Sequence, residues 1–134
     1  MRGYSFKDYK VGVQARACGM NLPISFKQSV EICRFIKNRE TSRAKKMLQE
    51  VISKKAAVPF KKFNFDLGHK KKIGPGSYPE NASKEILKVI EIAESNAQFR
   101  GLNTSKLVIA HISAQKPAKA WHFGRQRRRR MKRT

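Results

Sequence analysis

Residues 81–112 read NASKEILKVIEIAESNAQFRGLNTSKLVIAHI, and the change of rhythm inside them sets the character of the chain. Ala82, Ile86, Val89, Ile90, Ala93 and Ala97 recur at helical spacing and form one apolar face. Gly101 is a natural stop, because glycine readily takes the left-handed conformation that ends helices. At the other end Asn81 is a candidate cap, with Ser77 a rival that would put Pro79 in the first turn. Beyond the stop, Leu107 to Ile112 is apolar and β-rich, which predicts a strand.

Two more helices precede this one. Ser25 followed three residues later by Gln28 fits a capping box. Phe26, Val30, Cys33 and Ile36 then sit at helical spacing, so a helix is expected from Phe26 to about Lys37. Thr41 is the candidate cap of the next. There Ala44, Met47, Leu48, Val51 and Ile52 make one apolar face, opposite Lys45, Lys46, Gln49 and Glu50. Near the start, Val11, Val13, Ala15 and Ala17 alternate with polar or small residues, which predicts a short strand before Pro23 interrupts.

Between the second and third helices, Ala56 to Pro79 contains Pro59, Gly68, Gly74, Pro75, Gly76 and Pro79. A continuous helix is excluded, and the stretch reads as a long basic loop. It interleaves Lys61, Lys62, Lys70, Lys71 and Lys72 with Phe60, Phe63, Phe65 and Tyr78. Rings can stack on bases while ammonium groups meet phosphates. The same rings could equally pin the loop to the core. The lysines read as RNA contacts because of the charge of the whole chain.

That charge is large. The 134 residues carry 31 Lys and Arg against 9 Asp and Glu, a net +22. Such an excess points to a polyanion, nucleic acid first and an anionic membrane second. No apolar run approaches the roughly 20 residues that span a bilayer, and residues 1–10 lack the apolar centre of a secretory signal. A cytoplasmic protein of one domain's size is expected.

The last carboxylate is Glu94, and the forty residues after it hold eleven Lys and Arg. Lys116, Lys119, Arg125, Arg127, Arg128, Arg129, Arg130, Lys132 and Arg133 surround Trp121, His122 and Phe123. Four consecutive arginines present planar forks that pair with phosphates and stack on bases. An arm this charged repels itself and is expected to order only beside a polyanion.

No catalytic constellation stands out. Glu85, Glu91 and Glu94 read as a solvated face with ion pairs. His69, His111 and His122 have no zinc-like spacing with Cys18 or Cys33, and His111 reads as a satisfied strand histidine. Gly74-Pro75-Gly76 lacks the Lys and Ser or Thr of a phosphate-binding loop. The two cysteines read as ordinary buried or half-buried thiols. No enzyme activity, cofactor or metal is expected.

A set of segments adds to this. They are Ser25-Phe26-Lys27, Val58-Pro59-Phe60-Lys61 with Asn64, and Gly68-His69-Lys70. Tyr78-Pro79-Glu80, Ala82-Ser83-Lys84, and Glu94-Ser95-Asn96-Ala97 before Gly101 complete it. Through them the chain resembles, over almost its whole length, the universal large-subunit ribosomal protein family twenty-two in its archaeal form. That family is called seventeen in the eukaryotic naming. The long basic loop is similar to the archaeal and eukaryotic branch.

The resemblance implies an α+β fold, three helices packed on a small antiparallel sheet with a long protruding β-hairpin. The outgoing hairpin strand would be Leu107 to Gln115, the tip about Pro117 to Gly124, and the return would begin near Arg127. Residues 1–110 would be the globular part, with the basic loop inserted at about 56–79, and 111–134 the arm. Members normally continue past the basic return into a final apolar strand. This chain stops at Thr134, so either the given sequence is truncated at the arm or the hairpin is incomplete, and the Leu107 strand is expected to be short of a partner.

The implied role is structural: binding large-subunit ribosomal RNA, beside neighbouring ribosomal proteins, with the hairpin lining the nascent-peptide exit tunnel. The arm's Lys116, Lys119, Arg125, Arg127 to Arg130, Lys132 and Arg133 would touch RNA. Lys61, Lys62 and Lys70 to Lys72 would add a second RNA surface, and Trp121, His122 and Phe123 would lie nearest the nascent peptide. Charge alone supports a rival reading, a general nucleic-acid packaging protein. Membrane binding ranks last, because the arm has no amphipathic helical face.

Overall fold

Three helices and five short strands form within the residues that the computed structural model describes, which are 4, 6, 8–116, 121–123 and 130–132. Helix α1 spans Phe26–Ile36 and α2 spans Thr41–Ile52. Helix α3 spans Glu80–Phe99. The periodicities therefore locate all three.

The caps differ from expectation. Ser25 does occupy the N-cap of α1, but its side chain makes no capping bond. Instead Ser29 Oγ donates to the Ser25 carbonyl at 2.8 Å. Glu40, not Thr41, precedes α2. Thr41 is drawn into a tertiary contact: its N–H and Oγ1 both donate to the Leu107 carbonyl, at 2.9 and 3.0 Å. Pro79 precedes α3, displacing both Asn81 and Ser77, and Glu80 suits the positive end of that helix. The far end closes at Gly101 as expected. Gly101 has φ 73° and donates to Gln98 O at 2.9 Å, while Leu102 N–H reaches Ala97 O at 3.0 Å. This is the paired closure of a Schellman motif.

The sheet lies where the sequence reads as a loop. Strands β1 (Val58–Pro59), β2 (His69–Lys70) and β3 (Gly74–Ser77) are antiparallel in the order β1-β3-β2. Val58 pairs with Ser77, Pro59 with Gly76, His69 with Pro75 and Lys70 with Gly74. Residues 11–17 form no strand: they make a turn and then irregular backbone, and Val11 is 84% exposed. Alternation without a partner edge or a core to face does not hold a strand. Among the described residues Leu107 to Ile112 forms only an isolated bridge, Val108 to Glu40, and no strand. Asn38 N–H donates to Ile109 O and Ile109 N–H to Arg39 O, both at 2.9 Å. The partner is the short α1–α2 connection, which cannot sustain a ladder.

Helices α1 and α2 both pack against α3. Between them lie Ile32, Ile36, Ala44, Leu48, Val51, Ala82, Ile86 and Ile90, joined by Val58 and Phe60 from the β1 side. Each large apolar side chain fully buried here contributes about 1.5–3 kcal/mol. Met47, Ile52, Val89 and Ala93 sit half-buried at the margins. Cys33 is buried, and burial pushes its thiol up to about 11, so it stays protonated. Cys18 is exposed, against expectation.

A second pairing joins β4 (Trp121–Phe123) to β5 (Arg130–Lys132), antiparallel, with Trp121 opposite Lys132 and Phe123 opposite Arg130. Most of the tip that the resemblance implies, at Pro117 to Gly124, lies outside the described residues. The arm residues Lys119, Arg125, Arg127, Arg128, Arg129 and Arg133 lie outside the described residues. Among the described residues, no helix is long and apolar enough to cross a membrane.

Candidate nucleic-acid interface

The interface begins with an acid. Glu31 of α1 is 0% exposed. Its Oε1 accepts from the N–H groups of Lys62 at 2.8 Å and Phe63 at 3.1 Å, and its Oε2 from Lys61 at 3.2 Å. Arg34 Nη1 lies 3.8 Å from Oε2. Burial pushes the carboxyl pKa up. The three N–H groups, with the Arg34 guanidinium, outweigh that and hold it below its ordinary value. The ionised form is thus the one the fold retains.

The consequence for Lys61 and Lys62 is specific. Glu31 binds their backbone and leaves their ammonium groups exposed. Phe63 is half-buried, edge-on to Phe26 at 6.4 Å between ring centres, with Lys62 Nζ 5.8 Å and Lys27 Nζ 5.9 Å from its ring. One buried carboxylate therefore fixes a basic turn without neutralising it.

The second lysine group leaves the sheet at the same end. Strands β1 and β2 flank β3 and run parallel to each other. The residues that follow β1 and those that follow β2 consequently emerge together. Lys71 and Lys72 are exposed in the β2–β3 turn, and Lys72 adopts φ 70°. Lys70 is half-buried, its Nζ 5.5 Å above the Tyr78 ring. The structure brings Lys61, Lys62, Lys71 and Lys72 to one edge. Lys116 is exposed elsewhere, and Arg130 and Lys132 take part in β5.

The rings divide between the two readings. Phe60 belongs to the core, and Phe63 and Tyr78 are half-buried, so these three pin the segment. Phe65 is 88% exposed among the lysines and is available for stacking.

Ion pairs fall elsewhere. Lys45 pairs with Glu94, Lys54 with Glu80 at 3.0 Å, and Lys88 with Glu85 at 2.8 Å. Glu85 and Glu94 thus make the expected ion-pair face, and Glu91 is exposed. Among the described residues no carboxylate pairs with the side chains of Lys61, Lys62, Lys70, Lys71 or Lys72, and no His, Cys, Asp and Glu group could hold a metal ion. Glu31 is the contributor that sequence reading missed. Its only signal is that it is the sole carboxylate between Asp8 and Glu40.

Fold and surface together define a small, basic α+β protein with an unneutralised lysine edge. The family described as "Ribosomal protein L22p/L17e" matches residues 17–134, and the chain belongs to that family, a structural and non-enzymatic one. Its archaeal relatives include proteins named "Large ribosomal subunit protein uL22". That of Archaeoglobus fulgidus is 40% identical over 116 residues, covering 84% of this chain and 75% of its own. That of Methanocaldococcus jannaschii is 44% identical over 115, covering 81% and 74%. That of Nanoarchaeum equitans is 41% identical over 133, covering 90% and 76%.

Proposed function

We propose that this chain is a structural component of the large ribosomal subunit, held to ribosomal RNA by two basic surfaces. One is the lysine edge of the sheet. The other is the arm, with Lys116, Lys119, Arg125, Arg127 to Arg130, Lys132 and Arg133. The observation that carries the reading is the Glu31-held turn, which fixes Lys61 and Lys62 while, among the described residues, no carboxylate pairs with their side chains. A polyanion is the partner that such an edge suits.

The relatives' name supports the ribosomal setting, in the cytoplasm beside other large-subunit proteins. Residues 1–110 act as the globular part, with the basic stretch at 56–79, and 111–134 as the arm. The β4–β5 pairing supports a hairpin. On this reading Trp121, His122 and Phe123 line the peptide exit tunnel and meet the nascent chain.

A binding comparison tests the proposal against nucleic-acid packaging. Folded large-subunit RNA fragments and duplex DNA of equal length are titrated at one salt concentration. Preference for the RNA by about tenfold or more is expected. Equal affinity for both would favour packaging, since charge alone does not distinguish them.

A further inference from the structure

A second aromatic and cationic cluster lies at the C-terminal end of α3, built by a different part of the chain. The N-terminal segment runs back along α3: Asn96 Nδ2 donates to Arg16 O at 3.0 Å, and Gly19 packs against Val89. This brings Arg16 between two rings. Its guanidinium carbon is 4.2 Å from the Tyr4 ring centre and 4.5 Å from that of Tyr9. Arg100 approaches the same Tyr9 ring at 5.7 Å and donates to the Tyr9 hydroxyl and, at 3.4 Å, to Gln14 O. The Tyr9 hydroxyl in turn donates to Gln14 O at 2.9 Å.

Two guanidinium groups therefore share one tyrosine, and among the described residues neither pairs with a carboxylate. The end of α3 supplies about half a negative charge, too little to offset two full positive ones. Cation–π contact with the rings holds both guanidinium groups near Tyr9 and leaves N–H groups for an acceptor. The cluster borders a depression of about 370 Å³ lined by Tyr4, Arg16, Asn96, Phe99 and Arg100. Phe99, the last residue of α3, is 93% exposed. A free ring beside a held cationic pair matches the two parts of a nucleotide, its base and its phosphate.

We infer that this cluster binds an unpaired RNA nucleotide, with its phosphate on Arg16 and Arg100 and its base stacked on Phe99. The inference rests on the ribosomal RNA reading above and adds a specific subsite to it, remote in sequence from the lysine edge and the arm. A fully paired helix keeps its bases stacked inside and offers Phe99 nothing, so the subsite discriminates a bulged or looped residue from a duplex.

The test uses the full chain and two RNA hairpins, identical except that one carries a single bulged nucleotide. Affinities are measured by fluorescence anisotropy at about 0.1 M salt, where backbone contacts contribute equally to both. The bulged hairpin should bind about tenfold more tightly, in line with the loss of one base–aromatic stack. Phe99→Ala should abolish that preference without changing affinity for the paired hairpin. Arg16→Gln should weaken binding of the bulged hairpin and lower its salt slope by about one. Circular dichroism should show both variants folded, since neither side chain is in the core. Equal wild-type binding of the two hairpins, or a preference that survives Phe99→Ala, would overturn this subsite alone. Failure to bind either hairpin would overturn the ribosomal RNA reading with it.

Discussion

Glu31 accepts three backbone N–H groups from a turn thirty residues further along the chain. Hydrogen bonds to a charged group are each worth about 1.5–3 kcal/mol, and unpairing buried donors adds to the loss. Glu31→Gln keeps the shape but turns an amide N–H₂ toward N–H donors. It should lower the unfolding free energy by about 2 kcal/mol, read from urea denaturation. The pH dependence follows from the depressed pKa. The unfolded chain takes up this proton at a higher pH than the folded one. The stabilisation is thus fully present above the ordinary value of 4.5 and is lost as pH falls through the folded pKa. Glu31→Gln should flatten the acid limb of stability below about pH 4.5; an unaltered limb would show that other carboxylates cause it. Ser83 gives an opposite case. It is 0% exposed, and its hydroxyl has no hydrogen-bond partner among the described residues. Ser83→Ala should raise stability by about 1 kcal/mol in the same assay. A loss instead would show that the hydroxyl has found an acceptor. Neither residue's behaviour was legible in the sequence: Glu31 looks like an ordinary helix acid, and its meaning depends on a turn that packs onto it.

Helices and strands differed in how far the chain revealed them. The apolar faces around Ile32, Leu48 and Ile86 place α1, α2 and α3, because burial on one side of a helix enforces its period. The sheet was hidden by its own composition. Strand β3 is Gly-Pro-Gly-Ser, central in the sheet, where proline is rare because it cannot donate to the ladder. Pro75 still joins the ladder through its carbonyl, which accepts from Phe60 N–H at 3.0 Å. Conversely, Leu107 to Ile112 has strand composition, but among the described residues it pairs only with the α1–α2 connection. The basic residues of 56–79 were legible as a charged cluster, yet not their convergence, which depends on β1 and β2 running the same way. The element-scale prediction concerns that edge. Replacing Lys71 and Lys72 by Ala should weaken binding to ribosomal RNA and lower the salt slope by about 1.5. Far-ultraviolet circular dichroism should be unchanged, because both side chains are exposed. An unchanged salt slope would remove the edge from the interface.

At the scale of the molecule, sign and placement of charge carry the account. Of the nine carboxylates, four form ion pairs among the described residues, on the helices or at the buried turn: Glu31, Glu80, Glu85 and Glu94. The lysine edge retains its positive charge, and residues 95–134 hold no carboxylate at all. Such a chain gains most of its affinity by releasing counterions from a polyanion, so its attachment should depend on salt yet persist where many contacts act together. Composition made that partner class legible, whereas the Tyr9 cluster was not, since Arg16 and Arg100 meet only in the fold. The most direct measurement is sedimentation of a cell lysate through a sucrose gradient containing about 0.3 M salt, a concentration that releases weak nonspecific binders. The chain should travel with the large subunit in about stoichiometric amount. Its appearance only at the top of the gradient, or equally with bulk DNA, would contradict a structural role in the ribosome.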